Sequence, residues 1–117
     1  MEKKYNLKIK TGAHYRLLLR WYKSNGSPKI LTDYDAKMAL KSTYASPITI
    51  LELTLNNGIY ITPEEGKIEI LMTDEQTKSI GKPRETSGVY DLKIIQPDGY
   101  VVRLIEGIWT MYPSVTD

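Results

Sequence analysis

Apolar and polar side chains alternate with a period of two along most of this chain, the pattern of strands that bury one face. Tyr5, Leu7 and Ile9 alternate with Asn6, Lys8 and Lys10, which predicts a first strand over residues 5–10. Across residues 13–23 the odd positions Tyr15, Leu17, Leu19 and Trp21 form an apolar row set toward the core, opposite His14, Arg16, Leu18, Arg20 and Tyr22. The turn-forming run Ser24-Asn25-Gly26-Ser27-Pro28 then leads into a short return segment over residues 29–32, giving a predicted hairpin. Tyr34, Ala36, Met38 and Leu40 carry the alternation to about residue 42. Ala, Lys and Met also favour helices, but the spacing fits a strand.

Residues 48–55 are rich in β-branched side chains and run into Asn56-Asn57-Gly58, a strong turn signal. Strands at 59–62 and 67–72 flank Pro63-Glu64-Glu65-Gly66, a turn with Pro first and Gly last. Thr73 and Gln76 have the spacing of a capping box, so a helical turn is expected over 73–80, followed by a polar surface loop over 81–88. Two alternating strands hinged on Pro97-Asp98-Gly99 span residues 88–109, and Pro113 ends the last of them before a short tail over 111–117. The expected fold is all-β, an antiparallel β-sandwich of about seven to eight strands with one short helical turn, a small barrel being the alternative.

With 117 residues the chain is long enough for one core and too short for two ordinary domains, so a single domain over 1–117 is expected. Hydrophobic residues at 41% and charged residues at 26% suggest neither disorder nor a membrane span. Nine Tyr and two Trp with no Phe supply the aromatic bulk, a choice that suits half-buried strands and wet interfaces. Trp21 and Trp109 share the register of core positions and are assigned to the core. Sixteen basic against fourteen acidic side chains, interspersed, do not indicate a nucleic-acid binder. Lys3, Lys4, Lys8 and Lys10 read as a solvated strand edge that blocks pairing with another sheet. The opening residues lack the apolar run of a secretion signal, which points to folding in a cytoplasm.

Candidate chemistry is sparse. The chain has no Cys, which removes disulfides, thiolate nucleophiles and thiolate metal sites. His14, the single histidine, lies on an outward strand face with no second His to share a metal, and no Gly-x-Ser-x-Gly turn is present to expose a nucleophilic serine. The carboxylate pairs Asp33/Asp35, Glu64/Glu65 and Asp74/Glu75 read as solvated surface, with Asp33 and Asp35 on one strand face beside Lys37. The expectation is a non-enzyme with no catalytic residues, no metal and no cofactor. Outward apolar positions carry more information: Leu18 and Tyr22 on one strand, with Leu104, Ile108 and Tyr112 on another, form a candidate protein-interface patch.

The segment from Gly12 to Tyr22, followed by Ser24-Asn25-Gly26-Ser27-Pro28 and Leu31-Thr32-Asp33-Tyr34-Asp35-Ala36-Lys37-Met38, resembles the opening of small immunoglobulin-like structural proteins of tailed bacteriophages. Tyr90-Asp91-Leu92, Pro97-Asp98-Gly99, Arg103-Leu104-Ile105-Glu106-Gly107 and Pro113-Ser114-Val115-Thr116 are similar to their closing hairpin, and the general plan resembles the amino-terminal domain of phage baseplate upper proteins. The resemblance covers nearly the whole chain, through turns and core positions that fix a fold rather than a reaction. It implies an immunoglobulin-like sandwich and a virion component, in a tail, baseplate, adaptor or head-associated position, assembled in the host cytoplasm. Such a protein acts by contacts with other virion structural proteins, often in several symmetric copies as a homo-oligomer, and needs no nucleic acid or membrane. Ile108, Trp109 and Tyr112 stand where such proteins usually carry small or polar residues. The alternative is a carbohydrate-binding β-sandwich module that attaches to a host-surface glycan through exposed Tyr.

Overall fold

The computed structural model describes residues 3–115; the ends of the sequence, including Thr116 and Asp117 of the expected tail, lie outside the described residues. Chain order is β1 (Lys3–Lys4), β2 (Leu7–Lys10), β3 (Tyr15–Arg20), β4 (Asp35–Lys41), β5 (Leu51–Leu55), β6 (Gly58–Thr62), β7 (Lys67–Met72), α1 (Asp74–Ile80), β8 (Thr86–Ile95) and β9 (Val101–Tyr112). A 3-10 turn at Pro63–Glu65 joins β6 to β7.

Hydrogen bonds link the strands in the order β1-β9-β8-β4-β5-β6-β7-β3, with β2 also on β9. The sheet curls until its two ends approach each other, so that Leu19 of β3 and Ile68 of β7 line one small cavity with Leu104 and Ile105 of β9. One layer is therefore β5-β4-β8-β9 with β1 and β2 along its edge, and the other is β6-β7-β3. In an immunoglobulin variable-type sandwich the first layer corresponds to strands C′, C, F and G, and the second to D, E and B. The fold is thus all-β and immunoglobulin-like, with one short helix between β7 and β8.

The buried cluster draws on both layers: Met38 and Leu40 of β4, Leu53 of β5, Ile68 and Ile70 of β7, Leu92 and Ile94 of β8, and Trp109 and Met111 of β9. Trp109 is fully buried and its indole N–H donates to the Lys41 carbonyl at 3.0 Å. Trp21 packs against the cluster from the side, half-buried, with the Lys29 ammonium 5.1 Å from the centre of its ring.

Several local expectations hold. Gln96 and Tyr100 close the Pro97-Asp98-Gly99 turn through Gly99 N–H to Gln96 O (2.8 Å) and Gln96 N–H to Tyr100 O (2.8 Å). The Thr73 hydroxyl accepts from Gln76 N–H at 3.1 Å while Gln76 Oε1 accepts from Thr73 N–H at 2.8 Å, completing the capping box of α1. The helix is anchored by buried Thr77, whose hydroxyl donates to the Ala13 carbonyl (2.9 Å) and accepts from Gly12 N–H (3.0 Å). Lys3, Lys4, Lys8 and Lys10 are exposed on the edge strands, as the pattern requires.

The pairing departs from a purely antiparallel sheet. β1 and β2 run parallel to β9, with Leu7 beside Trp109 and Ile9 beside Met111. Tyr5 falls between these two strands and is exposed, its N–H donating to the Glu106 carbonyl at 2.8 Å. β5 and β6 meet in a two-rung parallel contact at a corner, where Gly58 (φ 102°) lets the chain cross between layers; a Cβ there would sit 2.5 Å from the Leu53 side chain. The hairpin expected over residues 13–32 reduces to one bridge, Tyr22 with Pro28. Lys23 N–H to Ser27 O and Lys29 N–H to Trp21 O (both 2.8 Å) close that bridge, and beyond it the chain turns away, with Leu31 buried and its N–H donating to the Pro63 carbonyl at 3.1 Å.

Candidate interaction surface

Each layer turns one face to the core and the other to solvent. On the outer face of β3, β7 and β6, Leu18 stands opposite Glu69, which in turn stands opposite Tyr60. Arg16 Nε donates to the Glu69 carboxylate, and Arg20 Nη1 lies 3.5 Å from Glu65 Oε1. Leu18, 41% exposed, thus projects between two ion-paired arginines. Tyr22, 49% exposed, follows just beyond the end of β3.

The opposite layer carries Ile108 (49% exposed) on β9, beside the half-buried Val89 of β8. Tyr112 is half-buried at the end of the same strand. The Ile108 backbone N–H donates to Asn6 Oδ1 at 3.1 Å, which fixes this stretch of β9 where the chain passes from β1 to β2. Arg103 Nε lies 3.5 Å from Asp91 Oδ2, and Arg103 Nη1 lies 3.8 Å from Glu106 Oε1.

Leu104 is a correction. It is 8% exposed and belongs to the core with its neighbour Ile105, at 3%. The register shifts between Leu92 and Lys93: Leu92 pairs with Ile105 and Lys93 with Arg103, leaving Leu104 as the extra residue of a bulge. Two consecutive side chains then face inward, which strict alternation cannot produce. The five residues of the expected patch therefore divide into Leu18 and Tyr22 on one layer, Ile108 and Tyr112 on the other, and Leu104 inside. Sequence reasoning also missed Val89, Ala39 and Tyr44, which line a shallow depression of about 200 Å³ on the outer face of β4 and β8. For Ala39 and Val89 the available signal is the outward row of the β4 and β8 alternation.

The polar groups that could carry chemistry have structural surroundings. Asp33 sits in a left-handed turn (φ 62°) before β4, so it does not share a strand face with Asp35, whose carboxylate accepts from Ala36 N–H at 2.8 Å. His14 Nε2 lies 3.9 Å from Asp74 Oδ1, both exposed. Among the described residues no group of three or more His, Asp and Glu is gathered as a metal site, and no helix is long and apolar enough to cross a membrane. An open cleft of about 980 Å³ between residues 10–13, α1 and residues 112–114 carries Lys10, Lys78 and Lys82 together with Asp74 and Glu75, so its charge favours no one ligand sign.

Two tyrosine hydroxyls are perturbed. Burial pushes Tyr15 up to about 12, with Tyr5 adding to it. Tyr90 is raised further, first by burial and then by Tyr15, Tyr5 and Glu106; its hydroxyl donates to the Tyr5 carbonyl, tying the start of the chain to β8. Both stay neutral at physiological pH, and the Tyr90 hydroxyl serves as a structural donor.

No family model matches the sequence, and no curated protein matches it. Among solved structures, the chain is similar to the extracellular domain of the voltage-gated sodium channel beta4 subunit, at 11% identity over 97% of this chain and 94% of that one, with a TM-score of 0.49. It is also similar to the first immunoglobulin-like domain of human CD48 antigen, at 11% identity over 96% and 84% of the two chains, with a TM-score of 0.38.

Proposed function

We propose that this chain is a non-enzymatic bacteriophage virion structural protein that joins other tail, baseplate or head proteins through strand edges and exposed faces. It takes its place in the virion after assembly in the host cytoplasm. The observation that carries this reading is the presentation of Leu18 and Ile108: both are large, exposed and held on regular strands rather than on loops. The resemblance of the turns and core positions to phage structural proteins supplies the setting. A joint of standard size buries about 800 Å² per partner, and repeated copies raise its strength through avidity.

The test is co-assembly with the structural proteins encoded beside this chain, followed by light scattering. Leu18→Asp and Ile108→Asp place a charge in a buried joint, so at least one of them abolishes incorporation while leaving the isolated fold intact. Unchanged incorporation of both variants rejects the assignment. The glycan-binding alternative draws on exposed Tyr44, Tyr60 and Tyr100, which stand on three different parts of the chain; binding on a glycan array, read with multivalent display, would favour it.

A further inference from the structure

The outer face of β4, β8 and β9 is ordered into four successive cross-strand rows. The first holds Lys41, Val89 and Ile108, and the second Ala39, Asp91 and Glu106. The third holds Lys37, Lys93 and Arg103, and the fourth Asp35, Ile95 and Val101. Their neighbours on each strand, such as Met38, Leu40, Leu92 and Ile94, are buried, so these rows form the solvent side.

Along each of the two central rows, charges of one sign are neighbours. Two carboxylates stand opposite each other in the second row, and three cations stand side by side in the third; like charges directly across a sheet repel. Arg103 is compensated by Asp91 and Glu106. The rows nevertheless read as apolar with a cation, acidic, basic, and apolar with an anion. Reversed end to end, that series complements itself except on β4, where Lys37 meets the partner's Ala39.

A two-fold axis lying in this face, across the strands and midway between the second and third rows, keeps each strand over its counterpart and reverses the order of rows. It sets Asp91 over the partner's Lys93 and Glu106 over the partner's Arg103. It also sets Lys41 over the partner's Asp35, while Val89 and Ile108 meet the partner's Ile95 and the partner's Val101. Each contact occurs twice, as in any isologous pair. We infer that this face binds a second copy of the chain in that antiparallel, face-to-face arrangement. The inference rests on the reading of the chain as a module that works through protein contacts and names the partner of one face.

Exposure marks the same region. Ile108 is 49% and Val101 52% exposed, and Tyr44, 73% exposed, borders the depression beside Ala39 and Val89. Facing sheets pack about 10 Å apart, which brings the charged rows into contact while the apolar rows at either end close over one another. Because the central rows are charge pairs near solvent, the association weakens as salt rises.

The experiment is sedimentation velocity on the purified chain across protein concentration, at low and high salt. The wild type is expected to show a monomer–dimer equilibrium that shifts toward monomer in high salt. Lys93→Glu sets a carboxylate over the partner's Asp91, and Asp91→Lys sets an ammonium over the partner's Lys93, so each variant alone is expected to dimerise at least tenfold more weakly. An equimolar mixture of the two variants restores a dimer, because each then supplies the charge the other lacks. Circular dichroism confirms that both variants fold. A wild-type monomer at all concentrations, a dimer indifferent to either variant, or a mixture that stays monomeric overturns the proposal. If the wild type is monomeric but still assembles with neighbouring proteins, the dimer is rejected and the structural role stands. A charge-dependent dimer that joins no neighbour upholds the dimer and rejects the structural role.

Discussion

Replacing Gly88 by alanine adds one methyl group where β8, the end of β4 and the largest buried side chain converge. Gly88 lies in β8 with no positive φ, so alanine incurs no backbone strain there. The obstacle is space. A Cβ at this position would lie 2.7 Å from Trp109 Nε1, 2.8 Å from Trp109 Cε2 and closer still to the Lys41 carbonyl oxygen. The carbonyl is backbone of β4, and the indole is locked by its own hydrogen bond to that carbonyl. Overpacking costs about 1–3 kcal/mol, and displacing the indole strands a buried N–H at a further ~1–3 kcal/mol. The expected loss is about 2–6 kcal/mol, a large share of the roughly 5–15 kcal/mol that holds such a domain together. At about 4 °C per kcal/mol this lowers Tm by about 8–24 °C. Urea titration read by circular dichroism measures it, with Trp109→Phe as the second arm of a double-mutant cycle. The smaller ring has no N–H and leaves room, so Gly88→Ala costs at least about 1 kcal/mol less in that background. A Gly88→Ala protein within about 0.5 kcal/mol of wild type, or a cost unchanged in the Trp109→Phe background, would refute the reasoning.

Other outcomes test the same structure. Leu104→Asp buries an unpaired charge and is expected to prevent folding, whereas Ile108→Asp shifts the stability of the isolated chain by only about 0.5 kcal/mol; thermal melts of both check the bulge. Tyr90→Phe removes the donor to the Tyr5 carbonyl and costs about 1–1.5 kcal/mol by chemical denaturation, with an unchanged midpoint counting against that bond. Thr73→Ala removes half of the capping box and lowers stability by about 1 kcal/mol in the same assay. Tyr15 and Tyr90 titrate above their ordinary value of 10.0 in the folded chain. Above pH 10 the unfolded chain therefore loses tyrosine protons that the folded chain retains, and stability falls as pH rises toward 12. A urea midpoint flat from about pH 9.5 to about pH 12 would contradict the burial of these hydroxyls.

The period-two pattern is sufficient to place β3, β4, β7, β8 and most of β9, because alternation fixes which side of a strand is apolar before any partner is known. Local chemistry likewise settles the Pro97-Asp98-Gly99 turn and the Thr73–Gln76 cap, both of which close through bonds within a few residues. Trp109 is legible as core from its register alone. The partner of each strand is not. That β2 lies parallel to β9, about a hundred residues away, follows from burying Leu7 and Ile9 beside Trp109 and Met111, a long-range packing choice that no local window contains. The bulge at Leu104 belongs to the same class, since an extra residue in one strand exists only relative to the strand beside it. It turns one member of the expected patch inward, and the curl of the sheet sets the remaining four on opposite layers. The complementary rows of charge across β4, β8 and β9 are present in the sequence as scattered Lys, Arg, Asp and Glu; only the register of three strands aligns them into a face, because rows across a sheet are defined by pairing and not by position along the chain.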